Sequence, residues 1–478
     1  MKNPNQSSCY FIRPLKPVLL LLAIALPLLL FAQPVLAFCG FYVAQADSSL
    51  FNQASQVIIA RDGDRTVLTM ANDYQGEVKD FALVVPVPVI LKEEQVHVGE
   101  RKIIERLDGF SAPRLVEYFD SNPCDTYGRE MMMDAMPSAP SASRGLQQKA
   151  SNEALGVTIE NQFSVGEYDI LILSAKESNG LEKWLTQNGY RIPAGANQVL
   201  APYIKQGLKF FVAKVNLKEF DRQGFQSLRP LMMAYESPKF MLPIRLGMVN
   251  AKGAQELIVY LLSPNGATEI TNYRTEKIPS DVEIPEFVQS EFKDFYTSMF
   301  DTVYRRSGQN VAFLEYAWNM ANCDPCSADP LSPTELKQAG VFWLDNGDSS
   351  APSSPMFRGI PPQNSNVFIT RLHLRYTPNK FPEDLRFQTT ANQSLFQGRY
   401  VMRRPYRGEM NCDAAKSYRQ ITRQRQQQEA KTLANLTGWP LATIDKKIDY
   451  LESVNDPIPW WRKLWPQSMS LFKAIFHG

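Results

Sequence analysis

The sequence predicts an α+β protein with a β-rich N-terminal region, a mixed α/β middle region and a helical C-terminal extension. Three observations predict it. Runs rich in β-branched and aromatic residues, with period-two alternation, fill residues 38–127 and return at 366–405. Between 156 and 320, segments with the 3.6-residue apolar period of a helix interrupt such runs. From 406 to 478 the chain turns polar, basic and glutamine-rich at helical spacing, and ends in an aromatic tail.

The elements follow in order. Residues 1–37 read as a secretory signal peptide. Lys2, Arg13 and Lys16 precede an apolar run from Val18 to Ala32, and Val35-Leu36-Ala37 offers a cut after about Ala37. The alternative is a retained anchor, for which the run falls short of the roughly 20 residues a spanning helix needs. Lipid attachment at Cys39 is disfavoured by the bulky Phe38 before it. In the β-rich region, "SQVIIA" and "RTVLTMA" flank the hairpin signal Asp62-Gly63. "GEVKDFALVVPVPVI" is a third strand, whose Pro86 and Pro88 predict an edge or a strand exit. Residues 128–155, with three consecutive methionines and a Pro/Ser-rich tract, read as a linker. A copper site there is disfavoured by the lack of a Met-x-x-Met repeat or a nearby histidine.

Residues 156–320 read as α+β. "VTIENQF" and "YDILILSA" form a strand pair turning at Gly166. "NGLEKWLTQNG" is a helix that Asn179 caps, with Glu182 at capping-box spacing. "APYIKQG" is a short helix, and "LKFFVAKV", "LRPLMMAYES", "KFMLPIRLGMV" and "ELIVYLLS" are strands. Residues 286–307 form an amphipathic helix carrying Phe287, Phe292, Phe295, Met299 and Val303. Residues 321–365 are a loop region holding a CxxC, and 366–405 are strands, "VFITRLHLRY" and "GRYVMRR", that complete the core. Two helices, "CDAAKSYRQITRQRQQQEAKTLANL" and "PLATIDKKIDYL", open the extension.

Composition bounds the function. Hydrophobic content of 44 % and charged content of 21 % are ordinary for a globular protein. A net charge of +2 gives no global field toward nucleic acid, which is not expected as a partner. Of six cysteines, Cys9 leaves with the signal peptide. The other five allow fifteen arrangements of two bonds and an odd thiol. The preferred one pairs Cys39 with Cys124 across the β-rich region and Cys323 with Cys326 in a tight turn, leaving Cys412 as the odd cysteine. A weaker alternative gathers Cys323, Cys326 and Cys412, with Cys124, around zinc; a single CxxC is a poor signal for it. Thiol oxidoreductase chemistry at the CxxC is opposed by Pro330 and Pro333, which prevent a long helix from starting there.

Other chemistry finds little support. His97, His373 and His477 are far apart, and His373 in "RLHLRY" reads as an exposed strand histidine pointing with Arg371 and Arg375. GxSxG and GxGxxG are missing, and the lack of any Gly-Lys pair rules out a Walker loop. Ser290 and Lys293 match SxxK by spacing alone. Asp345 to Asp348 is a polar turn rather than a calcium loop. No catalytic residue, metal or cofactor is assigned. The tail places Trp460, Trp461 and Trp465 among Arg462 and Lys463, then Phe472 and Phe476, a composition suited to a membrane interface or to packing on the body.

Cys39-Gly40 after the signal, "VIIARDGDRTVLTMANDYQGEVKDFALVVPVP", "LDGFSAPRLVEYFDSNPC", "GEYDILILSAKESNGLEKWLTQNGYRIP", "LAPYIKQGLKFFVAKV" and "RPLMMAYESPKFMLPIRLGMV" together resemble the bacterial domain-of-unknown-function family 2330 over most of the mature chain. The resemblance implies an exported envelope protein and carries over no catalytic residue. Where some relatives end in a hydrophobic anchor, this chain has its Trp/Lys tail. The expected function is that of a periplasmic or envelope protein, most simply a non-catalytic binding or scaffold module with a membrane surface or another envelope protein as partner. The alternative is an extracytoplasmic enzyme, a thiol oxidoreductase at the CxxC or a hydrolase.

Overall fold

The computed structural model describes residues 41–42, 44–45, 51–75, 82–125, 157–188, 190–191, 195–223, 228–249, 253–322, 324, 328–346 and 366–452. The signal peptide, Cys39, the 128–155 tract, Cys323, Cys326 and the tail residues Trp460, Trp461, Arg462, Lys463, Trp465, Phe472 and Phe476 lie outside them. The fold is α+β. Its helices are α1 (Arg101–Ser111), α2 (Ser178–Gln187), α3 (Ala196–Lys205), α4 (Leu217–Gln223), α5 (Phe292–Arg306), α6 (Pro333–Gln338), α7 (Asp413–Thr437) and α8 (Leu441–Asp445).

Two sheets stack face to face. The larger runs in the order Arg274–Lys277, Val311–Asn319, Phe368–Tyr376, Gln255–Ser263, Phe51–Asp62, Arg65–Gln75, Leu231–Glu236, Val96–Val98, with Phe396–Gln397 also on Val311–Asn319. It is antiparallel except where Gln255–Ser263 meets Phe51–Asp62 and where Arg274–Lys277 meets Val311–Asn319. The smaller sheet is antiparallel, ordered Phe41–Tyr42, Ala82–Val87, Lys209–Val215, Tyr168–Ala175, Val157–Val165. Alternation sends Val57, Ile59, Leu68 and Met70 from one sheet and Leu83, Val85, Ile170, Ile172 and Phe211 from the other into a shared core. The outer face of the smaller sheet is covered by Leu181 and Leu185 of α2 and Leu200 and Tyr203 of α3. The outer face of the larger one is covered by Ile103, Ile104, Leu107 and Phe110 of α1 and Leu336 of α6. The helix α5 packs on α7 around Phe295, Met299, Phe300, Leu433 and Leu436.

The hairpin at Gly63 forms, with the left-handed φ of +54° that the turn requires. Pro86 lies past Leu83 and Val84, the two residues that Phe41–Tyr42 pairs. Several local expectations are corrected. α2 begins at Ser178 behind Glu177, so Asn179 sits inside the helix and caps nothing. "KFMLPIRLGMV" holds only the strand Met241–Leu242 before a 3-10 turn at Leu246–Met248, because Pro243 cannot extend the ladder. The 286–307 helix is split into a 3-10 turn, Glu286–Gln289, and α5. The last helix shortens to the five residues of α8.

A third sheet closes the C-terminal side. Val282–Glu283, Arg399–Arg404 and Arg114–Phe119 lie side by side, all parallel. Parallel pairing of Phe119 with Arg404 sends both chains out of the same end. There Cys124 meets Cys412, the residue before α7, in a disulfide with Cα atoms 5.7 Å apart. The expected pairing is thereby corrected: Cys124 joins Cys412, not Cys39, and Cys412 is not the odd cysteine. The zinc alternative fails at the same point, since a sulfur in a disulfide is no thiolate donor. The bond closes a loop between residues 288 apart in sequence. A Cys412→Ser variant is expected to lose up to roughly 5 kcal/mol of stability, read from the urea midpoint against the oxidised wild type.

Candidate functional site

The densest polar chemistry lies on the outer face of the larger sheet. In the strand Phe368–Tyr376, Leu372 and Leu374 point into the shared core. Arg371, His373 and Arg375 therefore point the other way, toward α1 and α5. The expectation of an exposed His373 is corrected: its side chain is 12 % exposed, and its ring stacks on Phe300 of α5 with centroids 4.0 Å apart. Alternation gave the direction correctly, and the helices covering that face account for the burial.

The neighbouring strands supply the counter-charges. Register places Glu256 opposite Arg375 and Tyr260 opposite Arg371. On the other side, Val311–Asn319 carries a bulge between Leu314 and Tyr316 that leaves Glu315 as the extra residue. Its carbonyl accepts the Gly398 N–H at 2.7 Å, and a Cβ on Gly398 would stand 3.1 Å from that same oxygen. The bulge aims the Glu315 carboxylate between two cations. Oε2 accepts from Arg371 Nε at 2.6 Å, and Oε1 lies 2.7 Å from His373 Nδ1. His373 Nε2 lies 2.7 Å from Glu256 Oε2, and the other Glu256 oxygen accepts from Arg375. At one end Arg371 donates to Asp108 of α1 at 2.7 Å; at the other Arg375 donates to Asp301 of α5.

The result is an alternating row: Asp108, Arg371, Glu315, His373, Glu256, Arg375, Asp301. Its two ends are half exposed, while Glu315 and Arg371 are buried. Two tyrosines seal it. Tyr260 donates to Asp108 at 2.9 Å, and Tyr296 of α5 donates to Glu315. Burial alone would lower the His373 pKa, but the Glu315 and Glu256 carboxylates outweigh it and raise the value to about 9. Burial alone would raise Glu315, but the cations of His373 and Arg371 bring it down to about 2. Burial would raise Glu256 too, yet His373 and Arg375 hold it below the usual carboxylate range. The imidazole is thus a cation at neutral pH, with each ring N–H directed at a carboxylate. It keeps no lone pair with which to take a proton as a base.

Three smaller clusters serve as ties. Asp384 accepts from Tyr203 Oη at 2.6 Å and binds Arg245 through two nitrogens, joining α3 to the loop before Leu385–Thr389. Glu167, fully buried, binds Arg229 at 2.7 Å. Asp120 accepts from Tyr418 at 2.8 Å and Arg425 at 2.9 Å, holding the first half of α7 beside the disulfide. Of the CxxC stretch, Asp324 is described; it accepts from Tyr316 at 2.9 Å and Gln397 at 2.7 Å. Sequence reasoning missed Glu315 and Glu256. Nothing local marks Glu315 as a bulge residue, although Glu256 opens the apolar run "ELIVYLLS".

Removing the central carboxylate takes from each of two buried cations one of its two carboxylate partners, leaving Arg371 with Asp108 and His373 with Glu256. Glu315→Ala is expected to lose about 3–5 kcal/mol, read by urea unfolding. The row also makes stability depend on pH. The folded pKa of His373 lies above its ordinary 6.5, so its contribution is complete below pH 6.5 and is lost as pH rises through about 9. Glu315 has the opposite sign: its contribution is present above 4.5 and is lost as pH falls through about 2. NMR titration of the His373 ring should show a midpoint near 9, and His373→Phe should flatten the alkaline limb of the stability profile.

Comparison with known proteins adds one finding. No curated protein and no solved structure matches the chain. The family model described as an uncharacterized protein conserved in bacteria (DUF2330) matches residues 33–388, a span that holds the whole charge row and both stacked sheets except the short strand Phe396–Gln397, and the chain belongs to that family.

Proposed function

We propose that the chain is an exported envelope protein that serves as a non-catalytic binding or scaffold module, with its C-terminal tail in contact with a membrane. The observation that carries this reading is the Cys124–Cys412 disulfide, which ties the family region to the C-terminal extension. Such long-range bonds persist in oxidising compartments outside the cytosol. The basic and apolar N-terminus, with its cut after about Ala37, agrees with that address. The charge row supports the non-catalytic half of the reading. Its central histidine and carboxylates are saturated by one another, and its cost in desolvation is offset by tying two helices to the sheet. The described helices include none long and apolar enough to cross a membrane, and the Trp/Lys tail from Trp460 to Phe476 is the proposed contact.

Fractionation of expressing bacteria, followed by non-reducing peptide mapping, tests the address. The expected result is a mature chain beginning at Phe38, outside the cytoplasm, with the Cys124 and Cys412 peptides linked. An intact N-terminus in the cytoplasm with both thiols free would overturn the reading.

A further inference from the structure

The helix α7 has two chemically distinct sides. Leu433, Leu436 and Ala430 pack on α5 and the third sheet. Arg425 turns inward to Asp120. Glu429, 4 % exposed, lies 3.3 Å from Arg425. Lys416, Arg419, Arg423 and Lys431 recur at spacings of three, four and eight, which places them on one side of the helix. Gln420 and Gln427 stand among them. Between residues 414 and 437 the only carboxylate is the buried Glu429. From Lys416 to Lys431 the outward side of α7 is therefore a stripe of positive charge with no acidic residue interleaved, about 22 Å long at 1.5 Å per residue; the exposed Asp413, first residue of the helix, lies 3.8 Å from Lys416 at its end. An exposed helix held only by its own ion pairs would alternate both signs.

The stripe continues into a groove. Arg423, Gln427 and Lys431 of α7 face Leu441 and Asp445 of α8 and Tyr450 across a space of about 440 Å³. Leu441 is 40 % exposed, and Ile421 on the stripe's flank is 63 % exposed. Tyr450 stands two residues before the last described residue, Glu452. The 26 residues beyond it hold three tryptophans and three cations against a single carboxylate, Asp456.

We infer that the outward face of α7, with the α7–α8 groove, is a docking surface for anionic phospholipid headgroups. The inference rests on the envelope reading above and names the lipid class and the residues that read it. Charge complementarity selects an anionic partner. The exposed Leu441 at the groove, the exposed Ile421 on the stripe's flank, and the Trp, Arg and Lys composition of the sequence that follows Glu452 select a lipid surface over a nucleic acid. Each cation near such a surface strengthens binding about fivefold at moderate salt.

Flotation of the full mature chain with phosphatidylcholine vesicles, with and without phosphatidylglycerol, tests this. The expected result is binding that requires phosphatidylglycerol and weakens with added salt. Lys416→Gln/Arg419→Gln/Lys431→Gln should lose on the order of a hundredfold. The charge-preserving Lys416→Arg/Lys431→Arg and the remote control Lys183→Gln/Lys205→Gln should bind as the wild type does. If the triple variant floats like the wild type, the inference is overturned. If Trp460→Ser/Trp461→Ser/Trp465→Ser alone then abolishes flotation, the tail contact of the broader reading survives without it. Equal binding to a single-stranded oligonucleotide, lost in the same triple variant, would overturn the lipid assignment.

Discussion

The charge row from Asp108 to Asp301 is the constraint around which the larger sheet is organised. Ions taken from water into a protein interior each cost several kcal/mol unless partnered. Three cations on one strand face therefore need carboxylates from both neighbouring strands and from the covering helices. Only one register provides them. A one-residue slip of Phe368–Tyr376 would turn Arg371, His373 and Arg375 into the apolar space between the sheets and bring Leu372 and Leu374 out to the helices. An apolar row of similar volume could hold the same layers together with equal or greater stability. What the ionic row adds is discrimination between registers, and it fixes where α1 and α5 lie.

The α+β class and many of the strands were legible in the sequence because strands with one buried face alternate. The hairpin at Gly63, the strand pair at Gly166 and the direction of His373 all follow from that period. What escaped was non-local. The strand Val311–Asn319 is buried on both faces over most of its length and lacks the alternation that betrays a half-buried strand. Without it, the counter-ion of His373 has no visible source, and a histidine flanked by arginines reads as solvated. α1 escaped as well, although Ile103, Ile104, Leu107 and Phe110 carry helical spacing. Asn179 misled because it lies two positions inside the cap, where a first-turn residue has the same composition as a capping one.

The cysteine pairing was illegible for a different reason. Loop-length reasoning favours Cys39 with Cys124 as readily as any other pair, since closure entropy changes slowly with length. The pairing is decided by the third sheet, whose parallel strands come from residues 114–119, 282–283 and 399–404. No property of those three short segments announces that they are neighbours.

That sheet has a consequence for how the molecule can be divided. The family resemblance ends at residue 388, yet Arg399–Arg404 is the middle strand, bonded to both others. A fragment trimmed at the similarity boundary would strand Arg114–Phe119 and Val282–Glu283 as two orphan edges. During synthesis the same is true in time: the earliest of the three segments waits beside an empty slot until Arg399–Arg404 has been made. Evolutionary unit and folding unit are therefore offset here, and the strand Arg399–Arg404 is a keystone rather than an appendage.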